Sequence, residues 1–243
     1  MKSPCILLII VCTLSLTGCA STKQADSDSS LGKAQQTLDS LYQHYSAKDS
    51  YLLRESYPFD EQHKVTYLAS EDQANTPNQF SYLWPYSGTF SAVNALFEAT
   101  HDKKYQKLLD KRVLPGLEEY FDIQRTPNAY SSYIQTAPTS DRFYDDNVWL
   151  GIDFTDIYQI TQEKRYLDKA QLIWKFIESG TDSLLGGGIY WCEQKKESKN
   201  TCSNAPGSVL ALKLFKATND SIYFRQGKEL YERSEEHTSE LQS

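Results

Sequence analysis

Apolar positions along this chain recur at helical spacing, in blocks that alternate in character. The blocks at about 88–100, 148–160 and 206–217 are dense in apolar and small residues, as in Ser91-Ala92-Val93-Asn94-Ala95-Leu96-Phe97. Amphipathic blocks follow them. The clearest carries Tyr166, Ala170, Ile173, Trp174 and Ile177 on one stripe with charges between. A helix that is apolar all round is buried on several sides and an amphipathic one on a single face, so the pattern predicts hairpins with an inner and an outer member. A further helix over about 31–46 places Ala34, Leu38, Leu41, Tyr42 and Tyr45 on one stripe.

The hairpins repeat. Leu96-Phe97-Glu98-Ala99-Thr100-His101-Asp102, Ile157-Tyr158-Gln159-Ile160-Thr161-Gln162-Glu163 and Leu214-Phe215-Lys216-Ala217-Thr218-Asn219-Asp220 align with a period of about 60 residues. In each copy a helix is expected to end at the Thr, and the acidic residue two positions on to cap the next helix. Repeated hairpins bury their apolar faces on their neighbours, which predicts an all-α fold, an (α/α) toroid with tight turns at one end.

Because the inner helices run parallel, the loops that precede them gather at the opposite rim, and those are the long loops. They hold Phe80-Ser81-Tyr82-Leu83-Trp84-Pro85-Tyr86-Ser87-Gly88, then Arg142-Phe143-Tyr144-Asp145-Asp146-Asn147-Val148-Trp149, then Gly186-Gly187-Gly188-Ile189-Tyr190-Trp191-Cys192 running on to Lys199-Asn200-Thr201-Cys202-Ser203-Asn204-Ala205-Pro206. Two carboxylates among tryptophans, tyrosines and amides are the inventory of a carbohydrate cleft, in which aromatic faces stack on sugars and amides read hydroxyls. Each residue also has a plainer reading. Asp145 and Asp146 could only cap a helix; Trp84, Tyr86 and Trp191 could pack in a core; Thr201 and Asn204 could cap a helix that begins near Pro206. The glycine triplet supplies positive φ for a turn, and Lys195, Lys196 and Lys199 read as a solvated face.

The two ends differ from the middle. Lys2 and the apolar run Ile6–Leu16 are too short for a membrane span and read as a secretory signal. The run closes in Leu16-Thr17-Gly18-Cys19, which resembles the lipobox of bacterial lipoproteins. That implies removal of residues 1–18 and a lipid on Cys19; Ala20, where an aspartate after the cysteine would suggest the inner membrane, favours the bacterial outer membrane, on its surface or periplasmic face. Residues 19–30 then form the lipidated cysteine and a flexible tether, and 31–232 the folded domain. Residues 233–243, from Arg233-Ser234-Glu235-Glu236-His237 onward, resemble a translated sequencing adapter and are set apart as artefactual. The domain is accordingly expected to be truncated at its C-terminus and to leave apolar flanks exposed.

A net charge of −7 argues against nucleic acid as a partner. The aromatic share of 13%, with 17 Tyr and 4 Trp, suits a stacking surface as well as a core. Cys192 and Cys202, ten residues apart in an exported chain, could form a disulfide or remain free thiols. No Cys/His spacing suggests a metal, and no phosphate loop or nucleophile elbow suggests a cofactor.

The motifs Tyr144-Asp145-Asp146-Asn147-Val148-Trp149, Gly186-Gly187-Gly188-Ile189-Tyr190-Trp191 and Lys199-Asn200-Thr201-Cys202-Ser203-Asn204-Ala205-Pro206 resemble those of glycoside hydrolase family 76, the endo-α-1,6-mannanases, over about residues 40–232. The resemblance implies an (α/α)6 toroid, of which about seven of twelve helices would be present here, and a monomer when full length. It implies α-mannan as substrate, retention of configuration, Asp145 as nucleophile and Asp146 as general acid/base. Trp84, Tyr86, Tyr144, Asn147, Tyr190, Trp191, Thr201 and Asn204 are then the candidate substrate-binding residues. The alternatives are another (α/α)6 sugar hydrolase and a non-catalytic glycan-binding lipoprotein.

Overall fold

The computed structural model describes residues 29–64 and 78–240, so the leader, Cys19 and most of the tether lie outside the described residues. The described elements are α1 (Ser30–Tyr45), α2 (Leu83–Thr100), α3 (Lys103–Leu108), a π turn (Leu109–Val113), α4 (Leu114–Glu118), β1 (Phe121–Asp122), β2 (Ala129–Tyr130), α5 (Tyr144–Thr161), α6 (Lys164–Ser179), a 3-10 turn (Leu184–Gly186), α7 (Thr201–Thr218) and α8 (Ser221–Glu240). Counting α3–α4 as one helix bent through the π turn, the described residues hold seven helices, and the only sheet among them is the antiparallel β1–β2 pair. None of the described helices is long and apolar enough to cross a membrane.

The inner helices stand side by side, α5 between α2 and α7, and each carries an outer partner on its flank: α3, α6 and α8. The division follows from side-chain distribution. On α5, Val148, Leu150, Ile152, Phe154 and Ile157 are buried on several faces, while α6 buries only the stripe Tyr166, Ala170, Ile173, Trp174, Phe176 and Ile177. Gly151 lets α5 and α7 approach closely, because a Cβ there would lie 2.5 Å from Leu210 Cδ2. Val209 and Leu212 on α7 and Ile222, Phe224 and Tyr231 on α8 form the expected exposed apolar flank. The α8 helix runs through the boundary drawn at residue 232, and Arg233 donates to the Leu185 carbonyl at 2.8 Å.

One turn closes each hairpin. Thr100, Thr161 and Thr218 each donate a hydroxyl to the carbonyl four residues back. The next residue, His101, Gln162 or Asn219, sits at φ 53 to 59 and returns its N–H to the helix at 2.7 Å. Asp102 and Asp220 then cap α3 and α8 through their side chains, as expected; Glu163 occupies the same place without a side-chain cap bond.

The helix starts differ from expectation. The inner helices begin four or five residues earlier than the apolar blocks indicate, with Pro85 third in α2 and Pro206 sixth in α7. Pro85 lies in the first turn, where its missing N–H would have had no intrahelical acceptor, whereas Pro206 forgoes a bond to the Cys202 carbonyl; a proline therefore marks the neighbourhood of a start rather than the first residue.

Inside this wall, Asp153 of α5 accepts the Ser91 hydroxyl at 2.7 Å, and its backbone carbonyl accepts the Asn94 amide at 2.9 Å. Burial pushes its carboxyl up to about 7. The folded state therefore holds a proton that the unfolded chain releases near pH 4, and stability from this group falls as pH rises from about 4 to about 7. Asp153→Asn is expected to raise the melting temperature at pH 8 and leave it nearly unchanged at pH 4. Equal shifts at both pH values would refute this, read by thermal unfolding.

Candidate active site

The long loops gather at the rim as the repeat predicts. Among the described residues Tyr82, Trp84, Ser132, Phe143, Asp145, Asp146, Trp149, Trp191 and Cys202 line a cleft of about 300 Å³ there. Its floor is the first turn of α5, where Asp145 and Asp146 occupy the second and third helical positions. Peptide N–H groups without helical acceptors favour negative charge at such a place. Trp149, one turn below Asp145 on the same helix face, presents an exposed ring, as does Trp84 across the cleft.

The two carboxylates have unequal surroundings. Asp145 Oδ1 accepts the Asp146 N–H at 3.1 Å, its Oδ2 accepts the Trp191 indole N–H at 3.1 Å, and the Cys202 thiol also hydrogen-bonds to it. Burial raises its pKa, and those three donors hold the rise down. Asp146 has no hydrogen-bond donor to its carboxylate among the described residues. Burial, reinforced by the charge of Asp145, pushes it well above the usual carboxylate range. The Cys202 thiol is pushed up to about 11 by burial and then by the Asp145 charge, so it remains protonated and able to donate.

Five candidate substrate-binding residues point elsewhere. Tyr86 is buried and donates its hydroxyl to the Val113 carbonyl at 3.0 Å. Tyr144 is buried and stacks on Phe176 at 4.6 Å, and Tyr190 is buried with its hydroxyl on Asp182. Asn147 and Asn204 are fully buried and do matching jobs at the fourth position of their helices. Asn147 Oδ1 accepts the Tyr130 N–H at 2.9 Å while its Nδ2 donates to the Tyr130 and Phe143 carbonyls at 2.9 and 2.8 Å. Asn204 Oδ1 accepts the Ile189 N–H at 2.7 Å while its Nδ2 donates to the Ile189 and Asn200 carbonyls at 3.1 and 2.9 Å. These amides clamp the preceding loop to the helix start, a repeated device whose hydrogen-bonding capacity is spent on backbone. Thr201, exposed at the start of α7, is not among the cleft-lining residues.

The thiols of Cys192 and Cys202 are free, which excludes the disulfide here. The bridge from Phe143 to Cys192 holds the first, which is buried, whereas the second faces Asp145. Lys199 is buried rather than solvated: its ammonium donates to the carbonyls of Asp182 and Leu184 and to the Asp182 carboxylate, over the Tyr190 ring. The cleft residues that the sequence did not single out for substrate are Tyr82, Ser132, Phe143, Trp149 and Cys202, the last noted there only as a possible disulfide partner. Trp149 was within reach by its i, i+4 spacing from Asp145; Ser132, on the loop after β2, carries no such signal.

The model of glycosyl hydrolase family 76 matches residues 56–239. A family 76 mannosidase of Bacteroides thetaiotaomicron is 30% identical with a TM-score of 0.69, over 83% of this chain and 52% of that one. A family 76 glycoside hydrolase from a bovine strain of the same species is 28% identical with a TM-score of 0.67, over 84% and 42%. An inactive variant of an α-1,6-mannanase of Salegentibacter sp. HEL1_6, with two consecutive aspartates replaced by alanine and solved with α-1,6-mannotetraose, shares the fold at 22% identity and a TM-score of 0.62, over 84% and 50%. The chain thus spans about half the length of the solved structures it matches. No match was found among curated proteins. With the helical hairpins, the open rim and the paired aspartates in place, the chain belongs to glycosyl hydrolase family 76.

Proposed function

We propose that the protein is an endo-acting α-1,6-mannanase that cleaves with retention of configuration through Asp145 and Asp146. The observation that carries this reading is the unequal environment of the two aspartates in one aromatic cleft. Asp145, with three donors, is the carboxylate that stays ionised and attacks the anomeric carbon to form a glycosyl-enzyme. Asp146, short of donors and beside a like charge, keeps its proton, delivers it to the departing glycosidic oxygen, and then takes a proton from the water that releases the sugar. The exposed faces of Trp84 and Trp149 give the mannan chain stacking surfaces. The paired aspartates replaced in the inactive mannanase from Salegentibacter, whose ligand is an α-1,6-mannotetraose, support the same substrate.

The test uses the protein in its longest natural form, as a monomer, on linear α-1,6-mannan. Release of reducing ends inside the chain, with the α-anomer formed first by NMR, supports the reading. Binding without hydrolysis would make it a glycan-binding protein, and turnover only of another linkage would make it a different (α/α)6 hydrolase. The Leu16-Thr17-Gly18-Cys19 motif supports anchoring in the outer membrane through Cys19. Cys19→Ser should then move the protein from the membrane to the soluble fraction, and unchanged fractionation would remove the anchor from the proposal.

A further inference from the structure

Trp191 is fixed through its backbone. Its carbonyl accepts the Tyr144 N–H at 2.9 Å and its own N–H donates to the Ser198 carbonyl at 3.1 Å, while the following residue, Cys192, bridges to Phe143. The Phe143 ring packs beside the indole at 5.0 Å between centroids. The hairpin that carries Trp191 and the first turn of α5 are therefore tied together, and the indole N–H is aimed at Asp145 Oδ2, 3.1 Å away. A residue that only stacked on sugar would need its ring faces and could leave its N–H to solvent. Here the N–H is committed to one oxygen of one carboxylate, while the adjacent carboxylate of Asp146 receives no donor among the described residues.

We propose that Trp191 is a positioning residue that divides the labour of the pair: its indole N–H holds Asp145 ionised and aimed, which leaves the proton of the pair on Asp146. Two adjacent carboxylates at the start of one helix resist holding both charges, so a shared proton settles on the one with fewer donors. Among the described residues the groups that face the pair are few. On α5 each aspartate faces the other, α7 contributes the Cys202 thiol, and the wall at the start of α2 contributes Tyr82, whose phenol burial pushes up to about 12. No ion pair among the described residues reaches either carboxylate. The loop carrying Trp191 adds no titratable group to the cleft lining, so the indole is its contribution. The inference deepens the mannanase reading and takes its catalytic meaning from it, yet the proton placement is measurable without substrate.

In the wild-type protein the Trp191 indole N–H resonance is expected to titrate with the lower of the pair's two macroscopic pKa values. A resonance that is indifferent to pH, or follows the upper step alone, overturns the proposal. In Trp191→Phe the lower step, followed by carbon NMR of the aspartate carboxyls, should rise by about one unit. The acid limb of kcat/KM should move with it, with kcat falling by a larger factor than KM rises. An unshifted lower step in the folded variant also overturns it. If the variant does not fold, the wild-type titration decides. Absence of mannan hydrolysis alongside the expected titration would sink the mannanase reading and leave the proton placement standing.

Discussion

Asp145→Ala is expected to lower kcat on α-1,6-mannan by about 10⁴-fold or more, because it removes the carboxylate proposed to form the glycosyl-enzyme. Asp146→Ala should behave differently. Its loss on mannan should be about 10²- to 10⁴-fold, the range for removing a general acid, and should shrink sharply on an aryl mannoside whose acidic phenol leaves without protonation. Rates on the two substrates, measured side by side, separate the roles. If Asp146→Ala loses the same factor on both, Asp146 is not the acid; if Asp145→Ala is the variant rescued by the better leaving group, the order is reversed. Thermal unfolding of both variants provides the control. Removing Asp146 also takes away a desolvated carboxyl near a like charge, so that variant should be at least as stable as the parent.

Arg142→Ala should destabilise the fold by about 3–5 kcal/mol, since it leaves a buried network without its central cation. Arg142 is 1% exposed and precedes Asp145 by three residues. Its Nε donates to Glu193 at 2.7 Å and Nη2 to the other oxygen of that carboxylate, while Nη1 donates to the Pro127 carbonyl at 2.8 Å. Asp122 lies 3.7 Å away, and the Phe176 ring lies under the guanidinium at 4.9 Å. One side chain thus joins the loop between β1 and β2 to the loop after Trp191, on both sides of Asp145. Lysine cannot reproduce the planar fork, so Arg142→Lys should recover little. Denaturant unfolding measures the loss, and a value below about 1 kcal/mol would mean that the network is dispensable.

The sequence disclosed what is local and repeated. The ends of the inner helices were legible because Thr100, Thr161 and Thr218 with their acidic partners complete a turn whose hydrogen bonds stay within a few residues. The starts were less legible because their bonds run to distant loops, as from Asn147 to Tyr130 and from Asn204 to Ile189. At the rim, residue types and their convergence could be read, but not the direction of each side chain. Trp84 faces the cleft while Tyr86, two residues later on the same helix, faces the core, since two positions turn an α-helix by roughly 200°. Lys199 illustrates the same limit, because three oxygen acceptors provided by residues 182–184 turn a nominal surface charge inward. The asymmetry between Asp145 and Asp146 depends on Trp191 and Cys202, which lie 46 and 57 positions beyond Asp145 in the sequence.

The inner helices α2, α5 and α7 are each 18 residues long and end in the same turn. Five turns of helix set a common height of about 27 Å between the closed rim and the cleft floor. An insertion or deletion of one residue inside any of these helices would rotate everything beyond it by roughly 100° and break the match with its neighbours. Changes in chain length are therefore tolerable chiefly in the loops at the open end. Divergence in substrate preference can accumulate there, over a base that keeps its measure.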